Sequence, residues 1–254
     1  MPGVEDKPPT EEEIETIRKK FQESISENGK DVFDDRDINR VMKDDAYVSR
    51  WFMHMYDAKG DQLDSCIQTM IAALKWRKHE KVNDITADNL NPDVKQKGSI
   101  YMKNKDKDGC PLLVFAMAKH VKGEHPDDMK KLFIYYLDRI DRETNGGKLS
   151  LVYECVGCGV TNMDMDLIAF MIKCLEEYFP YNLNHILVID MSWLLTACWK
   201  IIKGWLPPAG VKMIKFLTKS NLSEYIPEDQ QLVIWGGKNA WTYEFVEDDV
   251  KNLA

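Results

Sequence analysis

A chain of 254 residues, 44% hydrophobic and 30% charged, is long enough to bury a substantial core and polar enough to stay in water. Its formal charge of −8 argues against nucleic acid as a partner, because phosphate neutralisation needs a basic surface. No run reaches the ~18 apolar residues of a membrane span, and Met1 to Thr10 lacks the apolar stretch of a signal peptide. The expected setting is therefore the cytoplasm, with the six cysteines reduced.

Pro8-Pro9 ends a loose leader. Thr10 with Glu13 then forms a capping box that opens a charged helix to about Glu27. Two short helices follow, at about Asp35–Met42 and Asp44–Tyr56. A longer one from Asp61 carries Leu63, Ile67, Met70, Ile71 and Leu74 on one face. Residues 10–85 thus read as an all-helical subdomain, and residues 95–245 as a second domain.

In that second part, Ile100–Lys103, the turn Asp108-Gly109 and Leu112–Met117 read as a hairpin. Pro126 opens a helix, Leu149–Tyr153 is a strand, and Asn162 is expected to cap the next helix. Ile186–Ile189 is a continuous apolar run, as in a strand buried on both faces. Ser192 caps a further helix that stops around Gly204 to Pro208, and Met213–Leu217 is the last strand. Alternating strands and helices predict an α/β fold with a mixed, largely parallel sheet and crossover helices.

The stretch Ser192–Trp205 has an unusual composition. On a helix, Leu194, Leu195, Cys198, Ile201, Ile202 and Trp205 form one stripe, Lys200 and Lys203 lie opposite, and Trp193 and Trp199 stand at the edges. Between Met191 and Ser223 there are five lysines and no acid, on a chain that is otherwise acidic. Interfacial tryptophans beside lysines suit a phospholipid surface. An ordinary crossover helix with a solvated lysine face has the same periodicity, and periodicity alone leaves both readings open.

Tyr178-Phe179-Pro180, Ile186–Asp190 and the run from Trp199 to Pro208, with Ile226-Pro227-Glu228, Gly236-Gly237 and the upstream Trp76-Arg77-Lys78, resemble the CRAL-TRIO family over about residues 35 to 240. The resemblance implies a deep pocket between the sheet and a movable gate helix, here Ser192–Trp205. Family members bind phosphoinositides, phosphatidylcholine and other hydrophobic molecules. Tyr181 and Met213 stand where phosphatidylinositol-transferring members carry a glutamate and a lysine, and neither can make the same charged contacts. The Ser/Thr pair used for choline falls near Leu149 and Leu151 and is also absent.

The expected pocket wall is Phe115, Met117, Tyr153, Phe170, Cys174, Ile186 and Val188, with Leu195, Cys198, Trp199 and Ile202 facing inward from the gate. Simple core packing explains these wall positions equally well. Membrane docking is assigned to Trp193, Lys200, Lys203, Trp205, Lys212 and Lys215. Each buried methylene contributes about 0.8 kcal/mol, so a lipid with roughly thirty of them faces on the order of 20 kcal/mol on release into water. It must leave into another apolar phase, which calls for a gate that meets a membrane.

The expected function is binding of a hydrophobic ligand, a lipid, and its exchange or presentation at membranes by a peripherally associated protein. The alternative is a tether of the same fold that moves no ligand. No catalytic constellation, cofactor motif or metal site is expected. Cys155-x-x-Cys158 is a lone pair without further zinc ligands, His120 and His125 lack a partner group, and no nucleophile elbow or phosphate loop is present.

Overall fold

The computed structural model describes residues 7–56 and 60–247; the leader ahead of Lys7 lies outside them. Side-chain acceptors set the helix starts. At α1 (Glu11–Asn28), Glu13 N–H donates to Thr10 Oγ1 at 3.2 Å while Thr10 N–H donates back to the Glu13 carboxylate at 2.7 Å. Asp34, Asp44 and Asp61 each cap one helix: α2 (Asp35–Lys43), α3 (Asp45–His54) and α4 (Gln62–His79).

These helices bury Ile17, Phe21, Phe33, Val41, Trp51, Met70 and Leu74 among themselves. Arg77 Nε donates to Asp37 at 3.1 Å, and the two side chains are only 4% and 3% exposed. The unit is not continuous in sequence, because residues as far as Asp84 are joined by Lys173–Tyr181. That returning segment makes a single π-helical turn at Cys174–Tyr178 and stacks Tyr178 on Trp76, ring centres 3.8 Å apart. His54 Nδ1 accepts from Tyr181 N–H at 3.2 Å, so its Nε2 carries the proton and donates to the Glu176 carbonyl at 2.8 Å. This return rests on tertiary contacts that local periodicity does not carry.

The second unit runs over Ile85–Ile172 and onward from Asn182. A short α5 (Pro92–Lys97) leads into β1 (Ile100–Lys105), which turns back as β2 (Pro111–Ala116) through Gly109 at φ +83°. Next come α6 (Pro126–Glu143), β3 (Leu149–Glu154), α7 (Met165–Lys173), β4 (Leu183–Ile189), α8 (Thr196–Trp205), α9 (Pro208–Met213) and β5 (Ile214–Leu217). The strands lie side by side in chain order, the first pair antiparallel and the rest parallel. The fold is thus α/β, a mixed and mostly parallel sheet behind a helical N-terminal region.

Buried Asp106 fixes the hairpin turn to the sheet. It accepts N–H bonds from Asp108 and Cys110, the Ser150 hydroxyl at 2.6 Å and the Asn184 amide at 2.9 Å. Asp108 and His185 lie close by, but Asp106 is already occupied by these donors.

One local expectation is corrected. The cap of α7 is Asp164, whose Oδ1 accepts Leu167 N–H at 3.1 Å. Asn162 instead closes the preceding loop, accepting from Gly159 N–H and donating to the His120 carbonyl. The short α5 and α9, each opened by a proline at its first turn, have too few residues for periodicity to register.

Alternation along the strands gives the sheet two unlike faces. In register, Tyr153 pairs with Val188 and Val188 with Phe216, while Val152, Leu187 and Lys215 fall on the intervening rungs. One face carries Leu112, Val114, Val152, Leu187, Ile189 and Leu217, sealed by Leu222, Ile226, Leu232 and Trp235. There the Trp235 indole N–H donates to the buried Glu154 carboxylate at 2.6 Å. Over β4 and β5 the other face has α9 against it, and neither α8 nor α9 contains a single buried residue.

Candidate functional site

The Ser192 hydroxyl accepts Leu194 N–H at 3.3 Å and starts a 3₁₀ turn, Trp193–Leu195, that runs on into α8. Leu195, Trp199, Ile202 and Leu206 recur at helical spacing and face the sheet, where they meet Ile186 and Val188 of β4 and Ile214 and Phe216 of β5. Met117, Tyr153 and Cys155 continue the floor. Met163, Ile168 and Ile172 of the α7 region form the side wall, and Met191 completes the lining. The crevice between them holds about 580 Å³ of space free of atoms, part of it open to solvent. It is a narrow slot rather than an open chamber. None of its lining side chains is charged.

Seven of the expected wall residues come together here: Met117, Tyr153, Ile186, Val188, Leu195, Trp199 and Ile202. Four do not. Phe115 shares the face of its register partner Tyr153 but is fully buried beside the His120 and Tyr153 rings and does not reach the crevice. Phe170 is out of phase with Ile168 and Ile172 and lies instead under the Lys130 ammonium, 5.8 Å from the ring centre. Cys174 belongs to the π turn of the helical unit. Cys198 is half-buried on α8 but off the face that lines the crevice.

Sequence reading missed Cys155, Met163, Ile168, Ile172, Met191, Leu206, Ile214 and Phe216. Strand alternation carried to the partners of Ile186 and Val188 finds Ile214 and Phe216, and the step from Ile202 finds Leu206. The irregular loop that brings in Met163 and Cys155 has no such signal.

The expected single stripe on the gate is also corrected, because α8 with its leading turn is apolar on two sides. Away from the crevice, Trp193 is 80% exposed, Leu194 51%, Ile201 53% and Trp205 42%. Lys200, Lys203 and Lys212 are exposed as well, while Lys215 is half-buried and folds its ammonium onto the Lys212 carbonyl at 3.1 Å.

Burial pushes the Tyr153 phenol up from its ordinary range. Its hydroxyl reaches the Met171 sulfur at 4.0 Å, a weak acceptor. The hydrogen bond with Cys158, together with burial, pushes the Cys155 thiol up and keeps it protonated. Its sulfur lies 3.5 Å from that of Met117. Cys155 is thus a packing thiol, and all six cysteines are free.

A second hollow, about 510 Å³ of space free of atoms and partly open to solvent, is lined by His120, Lys122, Lys130, Asp164 and Asp166 among others. His120, expected to lack a partner, bonds through Nε2 to Asp164 at 3.0 Å. Burial pushes the Asp164 carboxyl upward, but hydrogen bonds from Leu167 N–H, His120 and Gly123 N–H outweigh it and hold the carboxyl below its usual range. Asp164 is committed to fixing this loop. Among the described residues, no helix is long and apolar enough to cross a membrane.

Residues 95–237 match the CRAL/TRIO domain family. The chain is 28% identical over 197 residues to a CRAL-TRIO domain-containing protein of Schizosaccharomyces pombe, covering 73% of this chain and 44% of that one. It is 26% identical over 220 residues to the phosphatidylinositol transfer protein CSR1 of Eremothecium gossypii, covering 80% and 50%. It thus spans about half the length of these two relatives. To the Sec14 cytosolic factor of Schizosaccharomyces pombe it is 26% identical, covering 76% of this chain and 74% of that protein. The crystal structure of Sfh5 superposes with a TM-score of 0.60 at 15% identity, over 73% of this chain and 74% of that chain, a likeness of fold. With the matched region spanning more than half of the sequence, the chain belongs to the CRAL/TRIO domain family.

Proposed function

We propose that this protein holds a lipid in the crevice and exchanges or presents it at membranes by moving α8, without catalysis. One observation carries the reading: α8 is apolar toward the sheet and toward solvent, yet none of its residues is buried. A helix of that kind on an aqueous surface gains little from folding alone, and its two sides suit a ligand within and a bilayer outside. The relatives named as a phosphatidylinositol transfer protein and as Sec14 cytosolic factor support lipid exchange as the activity, and a cytoplasmic protein that visits membranes. In this reading residues 95–245 are the lipid-binding domain and residues 10–85 its helical partner. Asp35–Asp45, Trp76–Asp84 and Ile189–Lys219 further resemble the N-terminal domain of motile sperm domain-containing protein 2.

The narrowness of the crevice favours a second reading, a tether of the same fold that moves no ligand. Native mass spectrometry of the purified chain separates the two, together with transfer of a labelled lipid between donor and acceptor vesicles. Stoichiometric lipid and measurable transfer are expected. An empty protein that binds vesicles without transferring lipid refutes exchange and leaves the tether.

A further inference from the structure

We infer that the crevice selects an uncharged lipid bearing a hydroxyl or carbonyl oxygen, and that the Tyr153 hydroxyl is the group that meets this oxygen. The inference rests on the lipid-binding reading above and adds the class of ligand. It departs from what the relatives' names suggest, and it comes from the lining.

None of the lining residues bears a charge, and three of them are methionines. The lysines of the gate do not enter: Lys200, Lys203 and Lys212 are exposed, and Lys215 lies on the rung between Ile214 and Phe216, which face the crevice. A phosphodiester drawn inside would be a buried charge with no cation to pair it, the arrangement that protein interiors avoid most strongly. Charged headgroups are therefore excluded from the interior.

The wall does offer polar atoms. The Cys155 thiol is already turned to the Met117 sulfur and the Tyr153 carbonyl. The Tyr153 hydroxyl, by contrast, has only the Met171 sulfur at 4.0 Å, and burial keeps the phenol protonated. It is a donor in an apolar slot facing an acceptor too weak and too far to satisfy it. A ligand oxygen at that point supplies the missing partner. An alkyl chain does not.

Two matched pairs of probes test this, each offered to the full-length chain in phosphatidylcholine vesicles, with protein-bound lipid measured by mass spectrometry. Dioleoylglycerol and dioleoyl-phosphatidylinositol share a body and differ in the charged head. Octadecanol and octadecane differ only in the hydroxyl. Dioleoylglycerol is expected to load at least about 100-fold better than phosphatidylinositol, the factor expected for keeping an unpaired charge out of an apolar site. Tyr153→Phe is expected to lower octadecanol loading about fivefold, in line with one neutral hydrogen bond, and to leave octadecane unchanged. Phosphatidylinositol loading equal to or above dioleoylglycerol overturns the inference while leaving lipid binding intact. Equal loss of octadecanol and octadecane in the variant also overturns it, since it gives Tyr153 a packing role. If none of the four probes loads, the lipid-binding reading itself fails.

Discussion

Replacing Ile202 by aspartate separates a gate from a core helix. Ile202 is half-buried in a helix with no buried residue. Its removal should cost the fold about 1 kcal/mol, half or less of the 1.5–3 kcal/mol of a fully buried aliphatic side chain. For a chain of this size that is a fall of roughly 2–4 °C in Tm. The ligand would pay far more. A carboxylate in a crevice with no cation in its lining must be either desolvated or hydrated by water that the lipid has to displace, a penalty of several kcal/mol. At ~1.4 kcal/mol per tenfold, about 3 kcal/mol weakens binding more than 100-fold. The assay is transfer of a labelled lipid between vesicles, read beside thermal unfolding. Leu187→Ala is the control: Leu187 is fully buried on the sealed face, so this change should cost about 2–5 kcal/mol of stability and leave transfer per folded molecule intact. A folded Ile202→Asp protein with unaltered transfer would refute the assignment of α8 as the gate.

Reversing Lys200 and Lys203 to glutamate should weaken sedimentation with anionic liposomes by roughly 30-fold or more, since each lysine near such a surface contributes about 1 kcal/mol; unchanged sedimentation would put docking elsewhere. A Cβ at Gly204 meets nothing within 4 Å, so Gly204→Ala should raise stability by up to about 1 kcal/mol through helix propensity. It should also slow transfer if the last turn of α8 bends, and an unchanged rate would rule out a hinge there. Glu154 is pushed up by burial, against a smaller opposing effect of the Trp235 hydrogen bond. Its contribution to stability is therefore complete below the unfolded carboxyl value of about 4.3 and is lost as pH rises through the folded value. Glu154→Gln keeps an acceptor for Trp235, so its stability relative to the parent should rise between pH 4.5 and 7.5 in denaturant titrations; a constant difference would contradict the burial argument. Arg77→Met leaves Asp37 buried without its cation and should cost about 3–5 kcal/mol, much of it recovered by adding Asp37→Asn.

What the sequence made legible follows from the range of each signal. Caps and periodicity are local, so α1 to α4 and all five strands lie within a few residues of their expected positions. Tyr153, Ile186 and Val188 share one face of the sheet by register, and that face lines the crevice. Errors arose where phase or distance decided the outcome. On α7 a two-residue slip selects Phe170 instead of Ile168 and Ile172, because that helix is apolar on more than one side. On α8 the same ambiguity merged two stripes into one, since Leu194 and Leu195 are chemically alike but lie about 100° apart on a helix. The return of Lys173–Tyr181 to the helical unit depends on Trp76 and His54, residues about a hundred positions away.

The two faces of the sheet imply how the proposed gate is driven. The sealed face has a packed core whose residues are nearly all under 5% exposed, and nothing there can move without opening cavities. Across the sheet, three of the four inward residues of the roof, Trp199, Ile202 and Leu206, are only half-buried, and Leu195 alone is fully so. At about half of the 1.5–3 kcal/mol for full burial, lifting those three costs roughly 2–4.5 kcal/mol. Trp193, Leu194, Ile201 and Trp205 lie off the inward face and expose 42–80% of their surface. Inserting these four into a headgroup–acyl boundary recovers apolar burial of the same order, with the lysines adding attraction to anionic lipid. In water nothing offsets the cost of opening, and the roof stays down. At a bilayer the two sums come close to balance, so the proposed gate would need neither a cofactor nor an energy source to lift it.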